Sequence, residues 1–149
     1  MSSNNLAERQ CPQCGYIAAA NDLVAPNFFR PWHLTHGTLA VKSYVASLGL
    51  EAHEWLLGLF VNEELQLLAV DTLARGGVTN CKIPFWKIIS RGHQLSAAGY
   101  ILVHNHPSGD PRPSTQDILV TRRLGDFSRD AEMHLLNHLI IAGDDLWII

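Results

Sequence analysis

Cysteine is scarce in this chain: Cys11, Cys14 and Cys81 are the only three in 149 residues. A low, odd count excludes a disulfide scaffold and suits a reducing compartment. Charge is scarce too. Charged residues make up 17 %, and 11 basic against 14 acidic side chains leave a net charge of −3 with histidines neutral. Strong non-specific binding to nucleic acid needs a basic face, so the charge does not support a nucleic-acid partner. No apolar run reaches the ~18 residues of a membrane span. The segment Met1–Arg9 is polar and has no signal-peptide hydrophobic region. A cytoplasmic protein is expected. Internal repeats and low-complexity runs are absent. What remains is 47 % hydrophobic residues, enough to bury a core in one soluble domain.

The first 36 residues differ from the rest. They carry Cys11-Pro12-Gln13-Cys14-Gly15, then Pro26 and Pro31, with little sustained periodicity. They read as an appendage to a domain spanning 37–149. Residues 37–52 read as a helix, since Leu39, Val41, Val45 and Leu48 fall near helical spacing. Two apolar runs, Glu54–Val61 and Leu65–Val70, flank the polar turn Asn62-Glu63-Glu64, which is a hairpin signal. Gly76-Gly77 breaks the chain before a third strand over Val78–Ile83. Pro84 opens a helix running towards Ala97, and Gly99 ends it. Tyr100–Val103 is wholly apolar, as in the buried middle of a sheet. A loop rich in proline follows, then a helix from Ser114, a strand over Leu135–Ala142 and the terminal Leu146–Ile149. The expected class is α/β or α+β: one mixed sheet flanked by helices.

The chemistry concentrates in the loop after Val103. His104 and His106 are two apart at a strand end, so both imidazoles share one face. Asp117 comes from the first turn of the next helix and offers a carboxylate. Two nitrogens and one oxygen leave a tetrahedral position open, the pattern of catalytic rather than structural zinc. A water there would have its pKa lowered towards neutrality. Glu54, at the start of an apolar strand, is the candidate general base. Ser114 is the candidate hydrogen-bond donor to a developing oxyanion. Ser114 and Asp117 also have the spacing of a helix capping box.

His104-Asn105-His106-Pro107-Ser108-Gly109, followed by Pro113-Ser114 and Asp117, resembles the JAMM (MPN or JAB) metalloprotease motif. More narrowly, it resembles the RadC family of bacterial proteins. The likeness runs from about residue 37 to the end. Gly76-Gly77, Leu95-Ser96-Ala97-Ala98, Thr121-Arg122-Arg123-Leu124 and His138-Leu139-Ile140-Ile141 add to it. It implies a cytidine-deaminase-like JAB/MPN fold with zinc at one edge of the sheet. It implies His104, His106 and Asp117 as ligands, Glu54 as the family glutamate and Ser114 as an assisting residue. The implied activity is a zinc-dependent metallopeptidase or isopeptidase acting on a peptide or protein substrate. The chain departs from the family at Asn137, where Asp often precedes the histidine of the last strand. The helix-hairpin-helix segment common in RadC proteins is not evident in the 36 residues before the domain.

Cys11-x-x-Cys14 resembles half of a zinc ribbon, and His33 with His36 could supply the other half. A second, structural zinc is one reading; a free Cys-x-x-Cys is the other. Two further functions compete with the hydrolase. One is a DNA-repair-associated or nuclease-like protein, following the historical RadC label. The other is a non-catalytic, zinc-stabilised interaction module. Nucleobase deamination is set aside, because that chemistry uses His-x-Glu with a later Pro-Cys-x-x-Cys.

Overall fold

The computed structural model describes residues 45–76 and 85–149. The readings that fall on Cys11, Cys14, His33, His36, the strand over 78–83 and the Pro84 helix start lie outside these residues. The described chain forms five strands: β1 (Trp55–Val61), β2 (Leu67–Arg75), β3 (Gly99–Asn105), β4 (His134–Ala142) and β5 (Asp145–Ile148). Two helices accompany them, α1 (Phe85–Gln94) and α2 (Thr115–Asp130), with a short 3-10 helix at Ala46–Leu50. The strands form one sheet in the order β2-β1-β3-β4-β5. β3 and β4 pair in parallel and the other neighbours are antiparallel. The class is therefore α+β with a mixed sheet, as expected.

The parallel pair dictates the helix between its strands. Parallel neighbours cannot be joined by a tight hairpin and need a crossover, which α2 provides. β3 is the central strand and every residue in it is buried. Its alternate side chains feed two cores. Ile101 and Val103 pack with Leu57, Leu59, Leu139 and Leu48 of the 3-10 helix. Tyr100 and Leu102 pack on the other face with Phe60, Ile88 of α1 and Leu124 of α2. His104 continues the Tyr100–Leu102 parity, so it emerges on the α-helical face at the carboxyl end of β3. Among the described residues, no helix is long and apolar enough to cross a membrane.

Several boundaries differ from expectation. The part of the 37–52 helix that is described is only the 3-10 helix, closed at Glu51. β2 begins at Leu67, not Leu65. Asn62 Oδ1 accepts the backbone N–H groups of Glu64 and Gln66, and Leu65 is left in the turn with φ +59°. α1 stops at Gln94, well before Gly99. Ala97 N–H donates to Gly92 O and Ser96 N–H to His93 O, with Ser96 at φ +53°. These two bonds make a Schellman motif in which serine occupies the position glycine usually takes. Gly99 instead opens β3. A Cβ there would lie 2.6 Å from the His134 carbonyl oxygen, so glycine is what allows β3 to approach β4. α2 ends in the same way, with Glu132 at φ +56° and Met133 N–H on Ser128 O.

Candidate metal centre

The site lies just beyond the carboxyl end of β3, where crevices in sheets with helices on their faces commonly open. His104 is fully buried beneath α2, and His106 follows one residue beyond the strand. Their Nε2 atoms are 2.9 Å apart. The i, i+2 spacing therefore brings both imidazoles together.

The loop after His106 sets the orientation of its ring. His106 Nδ1 lies 2.8 Å from the Asp110 carbonyl oxygen. A carbonyl only accepts, so Nδ1 carries the proton and Nε2 is the nitrogen left free to bind an ion. Asp110 is gripped by Arg112 through both carboxylate oxygens. The Arg112 hydrogen bonds hold the Asp110 carboxyl at about 2, so this pair closes the loop on itself.

Ser114 caps α2. Its Oγ accepts the Asp117 N–H, and the Asp117 carboxylate accepts the Ser114 N–H, which is a capping box. The Ser114 hydroxyl also donates to Asp117 Oδ2 at 2.6 Å. Asp117 is thus held through Oδ2 and turns Oδ1 to within 3.4 Å of His104 Nε2. His106 Nε2 lies 3.6 Å from Oδ2. Burial works against ionising Asp117, but the Ser114 hydrogen bonds lead the effects that outweigh it and keep the carboxyl below its usual range.

Glu54 approaches from β1. It precedes Trp55 and shares the parity of Leu56, which pairs with His104 across the sheet. One carboxylate oxygen of Glu54 and one ring nitrogen each of His104 and His106 lie within 4.8 Å of one another. These three residues could hold a metal ion. Asp117 stands outside that trio and turns a different carboxylate oxygen to each histidine. Zinc bonds of about 2.05 Å set tetrahedral edges of roughly 3.3 Å, against 3.4 Å from Asp117 Oδ1 to His104 Nε2 and 3.6 Å from Oδ2 to His106 Nε2. The donor set of two imidazole nitrogens and a carboxylate suits a divalent ion such as zinc.

Two residues near the site carry signals that motif reading passes over. Asn105, between the histidines, points to the opposite face. Its Oδ1 accepts the Trp55 N–H, and its Nδ2 donates to the carbonyls of Glu51 and His53. It brackets Glu54 on both sides. His138 of β4 is 1 % exposed and its Nε2 lies 2.7 Å from His104 Nδ1. Its Nδ1 meets Thr121 Oγ1 at 2.6 Å. A lone histidine in the apolar run Leu135–Ile141 was the available signal. Burial, then the nearby His138, holds His104 down at about 3. Burial likewise holds His138 at about 4. Both rings are neutral at physiological pH, as metal ligation and its support require.

A family model described as RadC-like JAB domain matches residues 35–148. The UPF0758 protein YfjY of Escherichia coli K12 is 34 % identical over 99 residues, covering 66 % of this chain and 61 % of that protein. The UPF0758 protein BAV2405 of Bordetella avium is 29 % identical over 142 residues, 89 % of this chain and 63 % of its own length. The UPF0758 protein NMC1174 of Neisseria meningitidis is 36 % identical over 99 residues, covering 44 % of its length. The chain thus spans about two fifths to three fifths of the curated relatives it matches. With the mixed sheet, the two histidines and their flanking carboxylates in place, the match over most of the chain establishes that it belongs to the RadC-like JAB domain family.

Proposed function

We propose that this chain is a zinc-dependent hydrolase of peptide or isopeptide bonds. The observation that carries this reading is the convergence of His104 Nε2, His106 Nε2 and the Asp117 carboxylate within 2.9–3.6 Å, with the Glu54 carboxylate alongside. His104, His106 and Asp117 hold the ion. When bound, zinc polarises the scissile carbonyl and makes water nucleophilic near neutral pH. Glu54 takes a proton from the attacking water and passes it to the leaving amine. Asn105 keeps the Glu54 segment against the site. Ser114 keeps Asp117 oriented through the capping box. Its role as donor to an oxyanion requires its hydroxyl to leave Asp117 Oδ2 during the reaction.

The trio of Glu54, His104 and His106 favours a second reading. If Glu54 is a ligand beside Asp117, four protein groups close the ion, and closed sites are structural. The chain would then be a zinc-stabilised interaction module. Elemental analysis of the parent and of Glu54→Gln separates the two. The hydrolase reading expects about one zinc in each, with hydrolysis of peptide or isopeptide substrates lost in the variant. Zinc lost together with Glu54 favours the closed structural site. A parent that takes up no divalent metal removes both.

A further inference from the structure

The hydrogen bonds behind His104 form one chain with a readable direction. Thr121 Oγ1 donates to the Asp117 backbone carbonyl at 2.6 Å. A hydroxyl has one proton. Once that proton is on the carbonyl, Oγ1 can only accept from His138 Nδ1, 2.6 Å away. His138 therefore carries its proton on Nδ1. The ring is buried, where an unpaired charge is strongly disfavoured, so its Nε2 is bare. That bare nitrogen faces His104 Nδ1 at 2.7 Å and must accept from it. His104, also buried and neutral, is then left with a bare Nε2 facing His106 and Asp117.

We infer that Thr121 and His138 are positioning residues that fix the tautomer of His104, so that its Nε2 lone pair faces the ion. This rests on the proposed metal site and deepens it. The direction originates in a backbone carbonyl, which cannot reverse its role. The opposite direction would have Thr121 donate to His138 and would end with a proton on His104 Nε2. That proton would be donated to the bare His106 Nε2, 2.9 Å away, and would have to leave before an ion could bind there. A partly buried threonine in the second turn of α2 and a histidine on β4 thus decide which nitrogen of a β3 residue can bind metal. Metal-bound histidines commonly have their second nitrogen tied to an acceptor. Here the acceptor is a second imidazole, whose own tautomer needs a third group to set it.

The test uses the full chain and zinc alone. Thr121→Val removes the hydroxyl with little change of shape, and Thr121→Ser restores it. Zinc affinity is measured by competition with a chelating dye, and the ring tautomers by long-range nitrogen–proton NMR of the metal-free protein. The expected result is a loss of affinity of roughly ten- to a hundredfold in Thr121→Val, recovery in Thr121→Ser, and a parent spectrum with protons on Nδ1 of both His104 and His138. A His104 proton on Nε2 in the parent overturns the inference. So does Thr121→Val that binds zinc as tightly as Thr121→Ser while both remain folded. A parent with the expected tautomers and no zinc affinity retains the positioning chain but defeats the metal reading, so the two failures are distinguishable.

Discussion

Asn105 Oδ1 accepts the Trp55 backbone N–H at 2.8 Å, across 50 residues of sequence. This bond, with the two that Asn105 Nδ2 makes to Glu51 and His53 carbonyls, attaches the strand bearing the histidines to the segment bearing Glu54. The residue between two metal-ligand candidates thus builds the other wall of the same site.

Replacing Asn105 with Ala should therefore disturb Glu54 more than the histidines. A buried donor and two acceptors lose their partner, at about 1–3 kcal/mol per unsatisfied group. The expected outcome is a lower melting temperature, zinc content near that of the parent, and a fall in any hydrolytic activity greater than the loss of metal explains. Thermal unfolding and metal analysis on the same sample check this. Zinc lost in proportion to activity would place Asn105 in support of the histidines instead.

Acid should destabilise the metal-free protein in a defined window. His104 is held at about 3 and His138 at about 4, against 6.5 in an unfolded chain. Between these values the unfolded state binds more protons, so stability rises with pH. Their contribution is complete above about 6.5 and is lost as pH falls through the folded values. Asp117 is shifted below the ordinary carboxylate range, so its contribution fades only at lower pH. Melting temperature after chelation should drop steadily from pH 7 to pH 4.5, with a flatter slope in His138→Phe. A pH-independent melting point over that range would contradict the buried neutral pair.

Tyr100 and Ser128 test the helical face of the core. Their hydroxyl oxygens lie 2.6 Å apart in full burial, and burial pushes the Tyr100 phenol up to about 12. Ser128→Ala leaves the phenol unsatisfied and should cost about 1–3 kcal/mol. Adding Tyr100→Phe removes the orphaned group and should recover most of that loss. Denaturant unfolding of the two single variants and the double variant measures the coupling. Additive losses would mean that the bond contributes nothing specific.

Ser96→Gly should stabilise the protein. Ser96 is exposed, ends α1 at φ +53° and pays the left-handed penalty that glycine avoids. A gain of about 1 kcal/mol, a few degrees of melting temperature, is expected. Gly99→Ala should act in the opposite direction, because the new methyl meets the His134 carbonyl. A calorimetric scan of both variants decides the matter; equal shifts would mean that neither backbone argument holds.

Much of the site was legible because its parts are local. The alternation of β3 places His104 and His106 on one face, and the Ser114–Asp117 spacing encodes the helix cap that presents the carboxylate. Helix ends were less legible. Ser96 and Glu132 occupy left-handed positions where glycine is the usual sign, so nothing in their identity marks the stop. Leu65 sits in a turn because Asn62 captures the following N–H groups, a competition that apolar periodicity does not register.

Residue pattern alone thus determined the α+β class, the His-x-His pair and the capped carboxylate, since each depends on neighbours within a few residues. The tertiary structure decided that Glu54 reaches both imidazoles, that Asn105 fastens its segment from 50 residues away, and that His138 and Thr121 stand behind His104. Those relations arise from strand order and register, which place β1 and β4 on either side of β3. Pairing across a sheet is set by long-range packing, and periodicity within one segment carries no record of its partner.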